Sequence, residues 1–151
     1  MKEEDKHVHK RHNKTLLLYH IVFPVKYRRT VLAPEVEITL KDVCLEIGVC
    51  YEMNFVEIGA DDNHVHFLVQ GIPSMSVSEM VGKIKSITAR EIFKKHIEIK
   101  KILWGGSLWT SGFYANTVGQ YGNETVIKEY IKNQGGNYTQ IHQGQLTMFD
   151  N

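Results

Sequence analysis

The segment that most constrains this fold is Asn63-His-Val-His-Phe-Leu-Val-Gln70. Its β-branched, aromatic and other apolar residues lie between Asp61-Asp62 and Gly71-Ile72-Pro73, which predicts a β-strand. Residues i and i+2 of a strand leave the same face. His64 and His66 therefore project together, while Val65, Phe67 and Val69 turn to the other side and can enter a core. Two imidazoles fixed on one face of a rigid strand are half of a metal site. On a solvated sheet face they are merely two polar residues, so a third ligand and a reactive group must come from elsewhere. The same letters recur in His7-Val8-His9, inside a charged run with no apolar alternation. That context reads as a disordered tail over residues 1–13 with no catalytic role.

A chain of 151 residues can build one domain with a real core, and its 42% apolar and 23% charged residues are ordinary for a globular protein. The charged N-terminus is not a secretory signal. The apolar stretch Leu16 to Val25, which contains His20 and Pro24, is too short to span a bilayer. Cys44 and Cys50 suit neither a zinc knuckle nor a disulfide framework, so both read as buried thiols of a cytoplasmic protein. The net charge of +1 hides a segregated distribution. Residues 1–29 carry eight basic and three acidic side chains, residues 83–101 seven and two, and residues 35–62 one and eight. Segregation of this kind predicts a basic surface suited to nucleic acid.

A strand is expected from Thr15 to Arg28, then a helix opened by Pro34 and running to about Glu52. Phe55 to Gly59 and His64 to Gln70 form a hairpin, and Ser76 caps a second helix with Val77, Met80, Val81, Ile84, Ile87 and Thr88 on one stripe. Short strands are expected at Leu103 to Trp109 and Phe113 to Val118, and a last helix from Asn123 to about Asn133, stopped by Gly135-Gly136. The order predicts an α+β fold: a ferredoxin-like antiparallel sheet with helices on one face, followed by a C-terminal helix.

On that last helix Tyr130 and Gln134 are four residues apart and share a face. The Gln134 amide oxygen can join His64 and His66 around Mg²⁺ or Mn²⁺, leaving positions for phosphate oxygens, and Tyr130 can stand beside them as a nucleophile. Spacing alone favours a surface tyrosine and a helix-end glutamine.

From about His12 to Gln134 the chain resembles the single-tyrosine HUH transposases of minimal prokaryotic insertion sequences, the IS200-like transposase A group. Five blocks carry the likeness: Tyr19-His-Ile-Val-Phe-Pro-Val-Lys-Tyr-Arg28, Asp62-Asn-His-Val-His-Phe-Leu-Val69, Lys83-Ile-Lys-Ser-Ile-Thr-Ala-Arg90, Leu108-Trp-Thr-Ser-Gly-Phe-Tyr114 and Tyr130-Ile-Lys-Asn-Gln134. The resemblance implies a catalytic domain over residues 14–134; beyond it, the glycine-bearing polar run that opens residues 135–151 reads as a flexible tail. It assigns His64, His66 and Gln134 to a divalent metal (Mg²⁺ or Mn²⁺) and Tyr130 to attack on a DNA phosphate. A 5′-phosphotyrosine intermediate follows. It also implies homodimers with sites assembled across subunits, and recognition of single-stranded DNA with hairpin ends. Lys26, Arg28, Arg29, Lys83, Lys85, Arg90 and Lys94 are the candidate DNA-backbone contacts. Two other readings use much of the same pattern: a domesticated enzyme acting on repeated palindromes, and a non-catalytic ferredoxin-like nucleic-acid-binding module. In the tail, Gln145-Leu-Thr-Met-Phe-Asp150 resembles the short motif with which bacterial proteins dock on the replication sliding clamp, through Gln145, Leu146, Met148 and Phe149.

Overall fold

The computed structural model describes residues 6–61, 63–104, 106–119 and 128–129. Its frame is a four-stranded antiparallel sheet of β3 (Leu17–Pro24), β4 (Asn54–Ala60), β5 (His64–Gly71) and β6 (Tyr114–Val118), in the spatial order β4-β5-β3-β6. Between β3 and β4 runs α1 (Pro34–Tyr51), and after β5 come α2 (Val77–Lys95) and the short α3 (Ile97–Ile102). Main-sheet order and connectivity are those of a ferredoxin-like α+β fold, as the sequence predicts.

Local chemistry accounts for the helices. Pro34 stands at the first turn of α1, where a missing N–H costs nothing, with Glu35 and Glu37 near the positive end of the helix dipole. Ser76 and Glu79 cap α2 reciprocally: the Ser76 hydroxyl accepts the Glu79 N–H, and the Glu79 carboxylate accepts the Ser76 N–H. Both helices pack on one face of the sheet. Val36, Leu40, Val43 and Ile47 of α1 and Met80, Val81, Ile84 and Ile92 of α2 share a core with Ile21, Phe23, Val65, Phe67 and Val69. The alternation of β5 therefore has the predicted sense, and the histidine face is the one turned away from α1 and α2.

Three elements and one cysteine differ from the sequence expectation. The first strand ends at Pro24, and Lys26–Arg28 form a 3₁₀ turn. The tail expected to be disordered over residues 1–13 instead enters a two-stranded ribbon of β1 (Val8–Lys10) and β2 (Asn13–Thr15), and Thr15 belongs to this ribbon, not to β3. Long-range bonds supply what apolar alternation does not: the Gln70 amide donates to the Lys6 carbonyl at 2.7 Å, and Lys10 pairs with Glu52. The described residues of the Leu103 to Trp109 run form no strand, and Trp104 adopts a left-handed conformation (φ 58°) after α3. Its end still touches the sheet through one bridge, Val25 to Trp109. Cys44 is buried, which pushes its thiol pKa up, but Cys50 is exposed. Of the expected last helix, Lys128 and Glu129 are described, and both are helical. Among the described residues no helix is long and apolar enough to cross a membrane.

Trp109 fixes the loop that follows α3. Its indole Nε1–H donates to the Thr88 hydroxyl at 3.0 Å inside the core, and that hydroxyl donates to the Ile84 carbonyl at 2.5 Å. Thr88→Val keeps the shape and leaves a buried indole N–H unpaired, so it should cost about 1–3 kcal/mol of stability. Urea unfolding of the two proteins measures this, and a difference within error would show that the bond does not hold the loop.

Candidate active site

β5 delivers the two histidines by its period of two. His64 pairs with Pro24 of β3, and His66 pairs with Val22 of β3 and Gly59 of β4. Their ring centroids lie 6.4 Å apart. His66 is buried and His64 half-buried. The hairpin before the strand brings in Asp61, whose backbone N–H bonds to the His64 carbonyl at 2.9 Å. Its carboxylate Oδ2 stands 3.9 Å from His66 Nε2.

A third imidazole completes this surface. His20 of β3 is fully buried and pairs with Leu68 of β5 and Asn116 of β6, one diagonal step from His66. His20 Nε2 and His66 Nδ1 are 3.3 Å apart, and the two rings are nearly parallel at 16° with centroids 5.5 Å apart. The edge of Tyr114 from β6 closes on His20 at 6.1 Å, and burial raises the pKa of that phenol.

Arg28 reaches the site from the turn after β3. Tyr27 and Arg28 are consecutive left-handed residues, φ 58° and 55°, a conformation that costs an L-residue roughly 1–2 kcal/mol. The surrounding backbone holds it in place. Val25 N–H donates to the Asn63 carbonyl and Lys26 N–H to the Leu108 carbonyl, each at 2.8 Å, and the Asn63 amide donates to the Arg28 carbonyl at 3.5 Å. The result sets Arg28 Nη1 2.6 Å from His64 Nε2. A guanidinium has only donors, so His64 Nε2 is the acceptor and presents its lone pair toward the cation.

Tyr130 and Gln134 lie outside the described residues, as do Gln145, Leu146, Met148 and Phe149. Among the described residues no group of three or more His, Cys, Asp or Glu side chains is gathered to hold a metal ion. Of the basic candidates, Arg28 alone has a contact described with the histidine pair. Lys83, Lys85, Arg90 and Lys94 belong to α2, on the far side of the sheet. Lys85 donates to the carbonyls of Thr110 and Gly112 at 2.7 and 2.8 Å, and its partial burial lowers its pKa. Lys83 lies 4.4 Å above the Tyr51 ring, and Arg90 pairs with Glu91 at 3.5 Å. Arg29 and Lys94 are exposed. Lys26 and Lys85 line a cleft of about 390 Å³ between α2 and Ser107–Ser111. Sequence reasoning missed His20, Asp61 and Tyr114. For His20 the signal was present: a lone histidine within an apolar strand run, in step with Leu18 and Val22.

Comparison with known proteins identifies the family. The family described as "Transposase IS200 like" matches residues 13–134. The ISDra2 transposase TnpA of Deinococcus radiodurans is 32% identical over 118 residues, covering 78% of this chain and 84% of that protein. The transposase for insertion sequence element IS200 of Salmonella typhimurium is 29% identical over 116 residues, 77% of this chain and 75% of its own length. Among solved structures, a putative transposase from Deinococcus radiodurans superposes with a TM-score of 0.65 at 30% identity, covering 89% of this chain and 98% of that one. A REP-associated tyrosine transposase bound to a REP hairpin gives 0.58 at 12% identity, covering 94% and 74%, a likeness of fold. The chain belongs to the single-tyrosine, IS200-like transposase family.

Proposed function

We propose that this transposase cuts and rejoins single-stranded DNA at the hairpin-bearing ends of an insertion sequence, with Tyr130 as the nucleophile. The observation that carries the reading is the imidazole pair of His64 and His66 on the face of β5 turned away from α1 and α2, with Arg28 and Asp61 at its edge. The donor chemistry fits a divalent cation. The His64 Nε2 lone pair accepts from Arg28 here, so His64 would bind the ion once Arg28 turns to a phosphate oxygen, and the Asp61 carboxylate adds negative charge 3.9 Å from His66 Nε2. Gln134 would supply a neutral oxygen as third ligand. Bound there, Mg²⁺ or Mn²⁺ would polarise the oxygens of the scissile phosphate.

In this reading the Tyr130 oxygen bonds to phosphorus, and the bond from phosphorus to the 3′ oxygen breaks. The products are a 5′-phosphotyrosine and a free 3′-hydroxyl. The new ester retains the bond energy, so a 3′-hydroxyl can reverse the step without a nucleotide cofactor. Arg28, a planar donor beside the pair, suits a phosphate oxygen of the bound strand. Arg29, Lys26, Lys83, Arg90 and Lys94 would hold more of the backbone. The family context supports a homodimer that shares tyrosines between sites. The tail would dock on the sliding clamp through Gln145, Leu146, Met148 and Phe149.

Covalent capture tests the chemistry. Single-stranded hairpin DNA incubated with Mn²⁺ should remain on the wild-type protein in SDS. Tyr130→Phe should lower adduct formation by about a thousandfold or more while hairpin affinity is retained. An adduct of normal yield on that variant would transfer the nucleophile to another tyrosine.

Alanine in place of His64 or His66 should lower Mn²⁺-dependent cleavage by at least about 100-fold, and Gln134→Ala by less, since water can replace one neutral oxygen. Cleavage rates across a Mn²⁺ titration give the ranking, and a glutamine variant worse than both histidine variants would refute this ligand set.

A chain carrying both Tyr130→Phe and His64→Ala, paired with wild type, separates the two assemblies. Sites shared between subunits leave that heterodimer with none intact, so purified mixed dimers should not cleave. Cleavage at half the wild-type rate would place each site within one subunit.

A further inference from the structure

Both candidate ligands need the same tautomer, with the proton on Nδ1 and the electron pair on Nε2. For His64 the Arg28 guanidinium enforces it, because Nε2 there is an acceptor. For His66 the neighbour is His20. The 5.5 Å centroid separation of these rings is about what two imidazole radii and a 3.3 Å nitrogen–nitrogen contact add up to. The rings are nearly parallel at 16°, so they lie edge to edge in almost one plane, which is the geometry of an in-plane hydrogen bond rather than a face-to-face stack. The contact joins His20 Nε2 to His66 Nδ1, leaving His66 Nε2 on the side of Asp61. At 3.9 Å the Asp61 oxygen is beyond hydrogen-bond reach and does not require a proton on His66 Nε2.

We infer that His20 is a positioning residue for His66: its Nε2 accepts the Nδ1–H of His66 and so keeps the His66 Nε2 electron pair available to a divalent cation. The inference rests on the proposed ligand role of His66. Ligating histidines in general are oriented by a partner on the second ring nitrogen, and loss of that partner weakens metal binding. Burial strengthens the argument. His20 is 0% and His66 3% exposed, so water has little access to take over the bond. The sheet sets the distance as well, since β3 and β5 are registered over eight residue pairs and the two rings sit on the diagonal of that ladder.

The test uses the full chain with ¹⁵N-labelled histidine at pH about 8, above the ordinary imidazole range. Long-range proton–nitrogen spectra should give His66 a protonated Nδ1 and an unprotonated Nε2 in wild type. His20→Phe keeps the ring and removes the acceptor. It should give a mixture of His66 tautomers and weaken Mn²⁺ binding, read from the free-ion electron paramagnetic resonance signal, by about 10–100-fold. His20→Gln returns an acceptor and should recover most of both. A wild-type spectrum with the His66 proton on Nε2 overturns the proposal and needs no variant to fold. So does a folded His20→Phe protein with unchanged tautomer and Mn²⁺ affinity. If the tautomer follows residue 20 while wild type binds no Mn²⁺, the hydrogen bond stands and the metal reading of the site falls.

Discussion

The pairing of β3 with β5 is the constraint on which the rest depends. Eight consecutive residue pairs, Leu17 with Gly71 through Pro24 with His64, lock the two central strands together. Ile21 and Phe23 then meet Val65, Phe67 and Val69 beneath the helices, and His20 meets His66 on the other side. A slip of one residue in β5 would send its histidines into the helix-covered core and its phenylalanine into the open face. Burial of Phe23 and Phe67 against each other, with centroids 5.0 Å apart, therefore enforces the same register that aligns the imidazoles.

Around this ladder the site is held by a chain of backbone and side-chain anchors. The Arg28 turn is anchored to Asn63 at the start of β5 and to Leu108 near the Trp109 loop. The Trp109 loop is in turn anchored to α2 through Thr88 and Lys85. Two left-handed residues in succession persist only where neighbours over-determine them, and strain of this kind gathers at functional sites. Here it directs a guanidinium to His64.

What was legible in the sequence was local. The period-two pattern of His64 to Gln70, Pro34 at the start of α1 and the Ser76–Glu79 box each act over a few residues, and the element order they define leads to the ferredoxin-like sheet. Interactions between distant residues were not legible. The β1–β2 ribbon strands carry one apolar side chain, Val8, and the segment relies on partners such as Gln70 and Glu52. The Tyr27–Arg28 turn carries no glycine to announce its conformation, and neither does Trp104. His20 could be seen only as a polar interruption, because its contact with His66 is a diagonal across strands 46 positions apart. The Tyr130 and Gln134 assignments come from family resemblance and lie outside the described residues.

Lys85 carries a consequence for how this protein would feel salt. Each ammonium that neutralises a DNA phosphate releases condensed counterions, and the salt dependence of binding counts those contacts. An ammonium already bonded to the carbonyls of Thr110 and Gly112 displaces no ion when DNA arrives. The basic run of α2 is thus longer on paper than in its electrolyte response, and one of its charges serves as an internal strut.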